Sequence, residues 1–228
     1  MSTFETSYDH KSLSNKISYA GKHGYHLEFD WFGDGYWHKL DMMEQLIAHA
    51  KYDWIWWIDY DTLITNTDTK LEDLIEGSLA SVSDPNRINF LLTSDCFKLN
   101  AGSMLLRSTS QVLAFLSRAK TCRYDPLPGL NNNPSEQDCM LQLIEENQHD
   151  EQEQVLFIPQ WKMNAFPEEI PCYDHYNKKW EPGMFVVHFA GAWAHMPNRT
   201  DAKAELFERY YSLIDHEPHA RSDQSQVL

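Results

Sequence analysis

The sequence lacks several features that would settle its class at once. It has no run of about 18 apolar residues, which predicts no membrane-spanning helix, and residues 1–10 are polar, which predicts that no signal peptide is present in the sequence as given. Lys and Arg number 19 against 34 Asp and Glu, a formal net charge of −15 at pH 7. This balance argues against nucleic-acid binding through a basic face. Taken alone, these absences predict a cytoplasmic protein, soluble as given.

Cysteine is scarce as well, and the chain holds four: Cys96, Cys122, Cys139 and Cys172. None belongs to a C-x-x-C pair, so neither a zinc ribbon nor a redox motif is indicated. Two disulfides and four buried free thiols are both compatible with these positions. The cysteines therefore leave open whether the chain is cytoplasmic or the soluble part of a longer, anchored protein.

The composition is that of a globular domain. With 228 residues, 42% of them hydrophobic, the chain can build one domain with a sizeable core. We expect a single domain over 1–228, with its core at 9–214 and a polar tail at 217–228. Helix-like and strand-like patterns alternate early and become irregular later, which predicts an α/β fold with a central mixed sheet flanked by helices.

The first elements follow from local signals. Asp9 is expected to cap a helix that runs to about Lys22, with Leu13, Ile17 and Ala20 on one apolar face. Residues 25–29 predict a strand, and the spacing of apolar residues predicts a helix over 36–50, with Ala50 facing inward.

The most informative stretch is the apolar run Trp54–Ile58, which ends in the pair Asp59 and Asp61. Such a run predicts a strand buried on both faces, and alternation along it places both carboxylates on one side. Ligands of open α/β sheets bind beyond the carboxyl ends of strands, where two carboxylates can bind a hard divalent cation. Most Asp-x-Asp pairs are turn residues or helix caps, but the buried strand before this pair favours a metal site.

Two further segments carry candidate chemistry. Asn100–Ser103 predicts a tight turn, or alternatively a close approach of the backbone to a ligand, with Asn100 as the polar contact. His188 follows a short apolar strand, where it can be a satisfied core residue or a neutral ligand of a cation that carboxylates already hold. Gly191 would then let a diphosphate lie against the main chain.

A third polar segment opens a helix after Ser135. Its residues Glu136, Gln137 and Asp138 fit ordinary helix capping, and they also fit a polar cluster that faces a reacting group. In isolation the pattern favours capping.

Together these pieces resemble glycosyltransferase family 34, which contains fungal galactosyl- and mannosyltransferases and plant xyloglucan xylosyltransferases. Each segment is weak alone, but six in the family's order, between Asn15 and Trp193, are specific. The matching segments lie at Asn15–Tyr25, Trp37–Leu40, Trp54–Asp61, Leu99–Arg107, Glu136–Asp138 and His188–Gly191.

The resemblance implies a GT-A fold, a nucleotide-sugar donor, Mn²⁺ or Mg²⁺, and retention of configuration at the anomeric carbon. A uridine diphosphate sugar is favoured over a guanosine diphosphate sugar, and galactose is the favoured hexose, with a pentose as the alternative. The acceptor could be a glycan, a peptide or a small molecule. Family members are anchored in the Golgi membrane, so the Golgi lumen is expected if this chain belongs to a longer, anchored protein.

The resemblance also implies residue roles. It places Asp59, Asp61 and His188 on the metal, with Asp59 near the donor's ribose or phosphates as well. The other implied positions are Lys39 at the diphosphate or the donor sugar, Gly191 at the diphosphate, Asn100, Ala101 and Gly102 along the donor sugar, and Glu136, Gln137 and Asp138 near the anomeric carbon and the acceptor hydroxyl as the catalytic group.

Two other classes remain compatible with the residues. A phosphatase of the haloacid dehalogenase type also carries an Asp-x-Asp after an apolar strand, with Asp59 as its nucleophile. Its threonine would fall one residue after Thr62. A sugar-binding module without catalysis could use the eight tryptophans and eleven tyrosines as stacking platforms.

Overall fold

The structure is a computed structural model that describes residues 6–30, 35–124 and 133–214. The predicted tail at 217–228 lies outside these ranges. The helices are α1 (Asp9–His23), α2 (His38–Ala48), α3 (Leu71–Leu79), α4 (Ser110–Cys122), α5 (Glu136–Glu146), α6 (Glu151–Gln154), α7 (Ala192–His195) and α8 (Ala202–Tyr211). The strands are β1 (Trp54–Ile58), β2 (Thr62–Ile64), β3 (Phe90–Thr93), β4 (Asn100–Arg107), β5 (Val155–Phe157) and β6 (Val186–His188).

The central sheet has four strands in the order β1-β4-β3-β5. β4 pairs antiparallel with both β1 and β3, while β5 pairs parallel with β3. The sheet is therefore mixed, and the predicted α/β class with a central mixed sheet is confirmed. A second, two-stranded sheet pairs β2 antiparallel with β6.

Helices cover both faces of the central sheet. On one face, α2, α4 and α5 bury residues such as Leu40, Phe115 and Met140 against it. On the other face, Tyr19 of α1 and Leu105 of β4 share a cluster with the end of the second sheet. A third cluster, built around Phe189 and Phe207, holds α8 against β2 and β6. The clusters meet where β1 ends, which fixes the position of the acidic pair.

β1 differs from the prediction of a strand buried on both faces. Ile55 and Trp57 are buried, whereas Trp54, Trp56 and Ile58 are only partly buried. The alternation shows that one face of β1 is covered less completely than the other; β1 is also an edge strand, paired with β4 on one side. Trp54 and Trp56 still pack against the apolar cluster on their face of the sheet, so the tryptophans act mainly as core side chains.

Two other local predictions are wrong because tertiary partners decide them. Residues 25–29 form no strand, since residues 26–28 are exposed and the segment pairs with no strand in the described ranges. Asn100–Ser103 is not a turn but the start of β4, and a bulge in the β3 pairing accompanies it.

The predicted helix ends are close but not all correct. α1 starts with Tyr8 as its N-cap, while the Asp9 carboxylate accepts a hydrogen bond from the Thr6 backbone at 3.0 Å. Ile17 is 53% exposed on this helix, not buried. α2 ends at Ala48, and Ala50 is exposed in a left-handed conformation.

All four cysteines are paired in the structure. Cys96 bonds Cys172 across 76 residues, and Cys122 bonds Cys139 across 17 residues. The first bond ties the loop after β3 to the segment before β6, and the second ties the end of α4 to α5. The disulfide alternative is therefore the one the fold adopts. Separately, none of the helices in the described ranges combines the length and apolar character needed to cross a bilayer.

Candidate functional site

The acidic pair lies on the turn between β1 and β2. The Asp59 amide donates to the Gly102 carbonyl at 2.7 Å, and the Thr62 hydroxyl donates to the Asp59 carbonyl at 2.6 Å. The turn thus starts within the ladder to β4 and ends within the second sheet. It directs both carboxylates to one place, as predicted, although the turn and not strand alternation brings them there. The Asp61 side chain is 13% exposed and that of Asp59 is 29% exposed.

His188 joins the pair through the register of the second sheet. It ends β6 and lies opposite Thr62 of β2, next in sequence to Asp61. Its Nε2 is 3.3 Å from Asp61 Oδ1. The ligand atoms of Asp59, Asp61 and His188 all lie within 4.8 Å of one another. The structure therefore assembles the three residues that the sequence assigned to a metal.

Gly102 explains how the imidazole fits against β4. A Cβ at this position would lie 2.1 Å from His188 Cε1 and 2.9 Å from Asn100 Oδ1. Any other residue would push the ring away from the acidic pair. His188 thus approaches the backbone closely at this glycine. The expected approach of a ligand to this segment, and the role of Gly102 along a donor sugar, stay predictions.

A hydrogen-bond chain fixes the orientation of His188. Asn164 donates through Nδ2 to Asn100 Oδ1 at 2.9 Å, and this oxygen also accepts from the Gly102 amide. Asn100 in turn donates to Asp95 Oδ2 at 2.9 Å. With its Nδ2 so committed, Asn164 presents Oδ1 to His188 Nδ1, 2.8 Å away, and Nδ1 must donate. His188 Nε2 is left facing the carboxylates.

Lys39 balances the charge on the buried side of the site. Its Nζ is 3.1 Å from Asp59 Oδ1 and 2.8 Å from Glu136 Oε1, and it donates to the Ala101 carbonyl at 3.3 Å. Burial alone would lower the pKa of the Lys39 ammonium, but the carboxylates of Asp59 and Glu136 outweigh burial and raise it. Trp57 donates its indole N–H to the same Asp59 oxygen at 2.6 Å. One oxygen of Asp59 is therefore held from two sides.

The first turn of α5 lies beside Lys39. Gln137 accepts a hydrogen bond from the Ala101 amide through Oε1 at 2.9 Å. Asp138 completes a capping box with Ser135, accepting from its backbone amide at 2.8 Å and its hydroxyl at 2.6 Å. The capping interpretation is confirmed, and the catalytic role of this turn stays a prediction. Gly191 lies after β6 with φ of 63°, a left-handed conformation that favours glycine.

Two lysines that the sequence did not single out also reach the acidic turn. Lys203 of α8 places Nζ 2.5 Å from Asp61 Oδ2. Burial would raise the pKa of Asp61, but His188 and then Lys203 oppose it, and the net pKa is well below the ordinary value. Lys16 of α1 lies beneath the turn and donates to the Thr62 carbonyl at 2.9 Å. Burial lowers the pKa of Lys16 to about 7.

The donor set fits a divalent cation. Two carboxylates and one imidazole are ligands that Mn²⁺ accepts, and Mg²⁺ accepts the carboxylates readily. The hydrogen bond from His188 Nδ1 to Asn164 is the kind of outer partner that fixes the tautomer of a ligating histidine. Asp59, Asp61 and His188 could therefore hold a metal in this arrangement.

Sequence reasoning gave no role at the site to four residues, of which Lys16 lies beneath the acidic turn. Trp57 carried a usable signal, because it belongs to β1 and lies two positions before Asp59, which follows that strand. Asn164 lies in a segment without regular periodicity, and Lys203 lies on a mixed polar helix. Nothing local marks either residue, since only tertiary contacts bring them to the site.

Comparison with known proteins gives one family. The model of the galactosyl transferase GMA12/MNN10 family matches residues 2–198. The chain is 28% identical to the probable alpha-1,2-galactosyltransferase gmh2 of Schizosaccharomyces pombe, over 90% of this chain and 65% of that protein. It is 25% identical to the probable alpha-1,6-mannosyltransferase MNN10 of Saccharomyces cerevisiae, over 88% of this chain and 61% of that protein.

Two further similarities agree with these. The probable xyloglucan 6-xylosyltransferase 5 of Arabidopsis thaliana is 27% identical over 79% of this chain and 46% of its own length. The chain thus spans about half to two thirds of the relatives it matches. A crystal structure of a glycosyltransferase involved in glycosylation of the major capsid of PBCV-1 is similar, with a TM-score of 0.62 and 15% identity over 92% of this chain and 96% of that chain. This likeness supports the fold.

Proposed function

This chain belongs to the galactosyl transferase GMA12/MNN10 family, and we propose on that premise that it is a metal-dependent retaining glycosyltransferase. It would move a hexose or pentose, with galactose favoured, from a nucleotide-diphosphate sugar to an acceptor hydroxyl. The single observation that carries the proposal is the convergence of Asp59, Asp61 and His188 ligand atoms within 4.8 Å of one another. A glycosyltransferase that uses a nucleoside diphosphate leaving group needs positive charge at that point.

The role proposed for each residue follows from its contacts in the site. Asp59, Asp61 and His188 hold Mn²⁺ or Mg²⁺, and Asn164 keeps the imidazole oriented through the 2.8 Å contact to Nδ1. When bound, the cation supplies Lewis-acid stabilisation of the negative charge on the departing diphosphate. Lys39 contributes a buried positive charge on the same side of the site.

The first turn of α5 is proposed to face the reacting carbon. As the bond between the sugar and the diphosphate lengthens, the anomeric carbon gains positive charge. Gln137 and Glu136 offer oxygen atoms to stabilise that charge, and the carboxylate of Asp138 holds the turn in place by capping it. In a front-face substitution the departing phosphate oxygen takes the proton of the acceptor hydroxyl, so no protein base is assigned. Asn100, Ala101, Gly102 and Gly191 are proposed to line the donor.

The substrates and the compartment form a further part of the proposal. The donor is proposed to carry uridine in preference to guanosine, and the acceptor to be a glycan, with a peptide or small molecule as alternatives. The relatives include proteins named galactosyl-, mannosyl- and xylosyltransferases. Two disulfides are typical of a protein that folds in an oxidising compartment, which supports a Golgi lumen location for a longer, anchored form.

The proposal can be tested with purified protein and a panel of uridine and guanosine diphosphate sugars, with and without Mn²⁺. Binding raises the unfolding temperature by mass action, and turnover releases the nucleoside diphosphate. The informative variant is Asp61→Asn, which removes one ligand charge without changing shape. Asp68→Asn is the matched control, because Asp68 is an exposed aspartate that pairs with Lys22 at 2.7 Å.

We expect the wild type and Asp68→Asn to show Mn²⁺-dependent stabilisation and turnover, and Asp61→Asn to lose both while its circular dichroism is unchanged. Turnover at the wild-type rate by Asp61→Asn would show that the site is assigned wrongly. A phosphoryl group trapped on Asp59 would favour the phosphatase class. Acceptor binding without any donor turnover would favour a sugar-binding module.

A further inference from the structure

Both oxygens of the Asp61 carboxylate are already engaged in this structure. His188 Nε2 lies 3.3 Å from Oδ1, and Lys203 Nζ lies 2.5 Å from Oδ2. One of the three residues proposed to hold a metal is therefore already paired with the ammonium group of Lys203 in this structure.

The position of Lys203 on its helix is unfavourable for helix stability. α8 begins with Asp201 as its N-cap, so Lys203 lies in the first turn, where the helix dipole disfavours a positive charge. The helix itself is held by Phe207 and Tyr210, which pack against Phe189. The ion pair with Asp61, rather than the helix, accounts for a lysine at this place.

Lys39, which pairs with Asp59, and Lys203, which pairs with Asp61, differ in their freedom to move. Lys39 is buried and fixed between Asp59, Glu136 and the Ala101 carbonyl. Lys203 reaches Asp61 from the solvent side, and 31% of its side chain is exposed. A flexible four-carbon stem lets such an ammonium change partners without moving the helix. The Lys203 ammonium is therefore the group that can move away from Asp61 when a metal cation binds.

We propose that Lys203 is a displaceable counter-ion: it neutralises Asp61 when no metal is bound, competes with the divalent cation for that carboxylate, and then binds the donor's phosphate groups. The inference rests on the proposed function. An ammonium and a divalent cation on the same carboxylate repel each other strongly at such short range. The displaced ammonium would stay near the site because Phe207 and Tyr210 hold α8 against Phe189, and a metal-bound diphosphate is the anion that would enter there.

The test measures Mn²⁺ binding first without nucleotide, by the loss of the free Mn²⁺ signal in electron paramagnetic resonance. The variant is Lys203→Met, which keeps the length of the side chain and removes its charge. Lys11→Met is the matched control, since Lys11 is equally exposed, at 31%, and pairs with Glu208 of the same helix α8. Uridine and guanosine diphosphate are then titrated at saturating Mn²⁺, and Lys203→Arg is included as the conservative variant.

We expect Lys203→Met to bind Mn²⁺ about tenfold more tightly than the wild type, and to bind the diphosphate about tenfold more weakly, each equivalent to ~1.4 kcal/mol. Lys11→Met should match the wild type in both titrations, and Lys203→Arg should keep diphosphate affinity. Equal Mn²⁺ affinity of Lys203→Met and wild type would overturn the competition, and equal diphosphate affinity would overturn the phosphate contact. If the wild type bound no Mn²⁺, the proposed function itself would fail. Unfolding curves for each variant establish that it is folded.

Discussion

The side-chain oxygen of Asn164 lies 2.8 Å from Nδ1 of His188, and this contact determines which imidazole nitrogen faces the acidic pair. Asn164 cannot turn its amide around, because its Nδ2 donates to Thr93 Oγ1 and Asn100 Oδ1, both at 2.9 Å. The geometry of the candidate metal site therefore depends on a residue that lies beyond the ligands themselves.

We expect Asn164→Ala to weaken Mn²⁺ binding by about 10- to 100-fold, the usual effect of losing an outer partner of a ligating histidine. Direct Mn²⁺ titration measures this. Asn89→Ala serves as a control, since Asn89 is also buried and bonds Gln154 at 2.8 Å, away from the acidic pair. Unchanged Mn²⁺ affinity in Asn164→Ala would mean that the imidazole does not need this orientation.

The buried charge cluster at Lys39 leads to a prediction about stability. Lys39→Met leaves the carboxylates of Asp59 and Glu136 without their shared cation, and breaking a buried pair in this way costs about 3–5 kcal/mol of unfolding free energy. Urea unfolding in the presence of a chelator measures the loss. Adding Glu136→Gln should recover part of it, because one uncompensated charge is then removed. Strictly additive effects of the two substitutions would show that the cluster is not coupled.

The capping box at the start of α5 allows a structural role of Asp138 to be distinguished from a catalytic one, because Ser135 forms the other half of the box. Ser135→Ala and Asp138→Ala each remove one half of the box, and we expect each to lower the unfolding free energy by about 1 kcal/mol. If Asp138 acts only by holding the turn, both variants should lose turnover to the same extent. A much larger loss of turnover in Asp138→Ala would give its carboxylate a direct role in catalysis.

The two disulfides should differ in their effect on stability because they close loops of different length. In the chain-entropy model, replacing Cys96 and Cys172 with alanine, across 76 residues, should cost about 4–5 kcal/mol. Replacing Cys122 and Cys139, across 17 residues, should cost about 3 kcal/mol. Chemical unfolding of the two double variants compares them. An equal or reversed order would contradict the entropic account.

The Cys96–Cys172 bond should also influence the site, because Cys96 adjoins Asp95, which accepts the hydrogen bond of Asn100. We expect weaker Mn²⁺ binding when this bond is removed. The other double variant, which lies outside the hydrogen-bond chain to His188, provides the comparison.

Lys16 gives the stability a characteristic dependence on pH. Burial lowers its pKa in the folded protein from 10.5 to about 7, although Asp61 and Asp59 act in the opposite direction. The unfolded chain keeps this proton at higher pH, so between these values it binds more protons than the folded chain, and the unfolding free energy rises with pH. Relative to Lys16→Met, the wild type should gain about 1 kcal/mol for each pH unit above pH 7.

Urea unfolding at several pH values between 7 and 9 checks this slope. Lys11→Met is the control, because Lys11 lies on the same helix in an exposed ion pair with Glu208. Its stability should follow the wild type at every pH. Parallel curves for Lys16→Met and the wild type would show that Lys16 keeps its ordinary pKa in the fold.

The part of the site that local pattern encodes could be predicted from the sequence. Asp59 and Asp61 follow an apolar strand, and Ser135 and Asp138 have the spacing of a capping box. Each pair can therefore be recognised from a few neighbouring residues of the sequence. His188 was placed by its short strand and by the family resemblance. Asn164 and Lys203 could not be found in this way, because their side chains meet the site only through tertiary packing.

The fold likewise has features that local sequence predicts and features that depend on distant residues. The alternation of elements predicted a mixed sheet, but not that β1 lies at its edge, because the partner of a strand is chosen by distant residues. Residues 25–29 have the composition of a strand, but within the described ranges they form no ladder with either sheet. The disulfide pairing was open for a related reason: spacing does not reveal that Cys96 and Cys172 meet across 76 residues.

The hydrogen bond from the Trp57 indole to Asp59 has a practical consequence for spectroscopy. It places a natural fluorophore in direct contact with the carboxylate proposed to receive a paramagnetic ion. Arrival of Mn²⁺ would quench its emission, and a Trp57→Phe variant would identify that part of the signal among the eight tryptophans. Occupancy of the site could thus be followed in real time without any label attached to the protein.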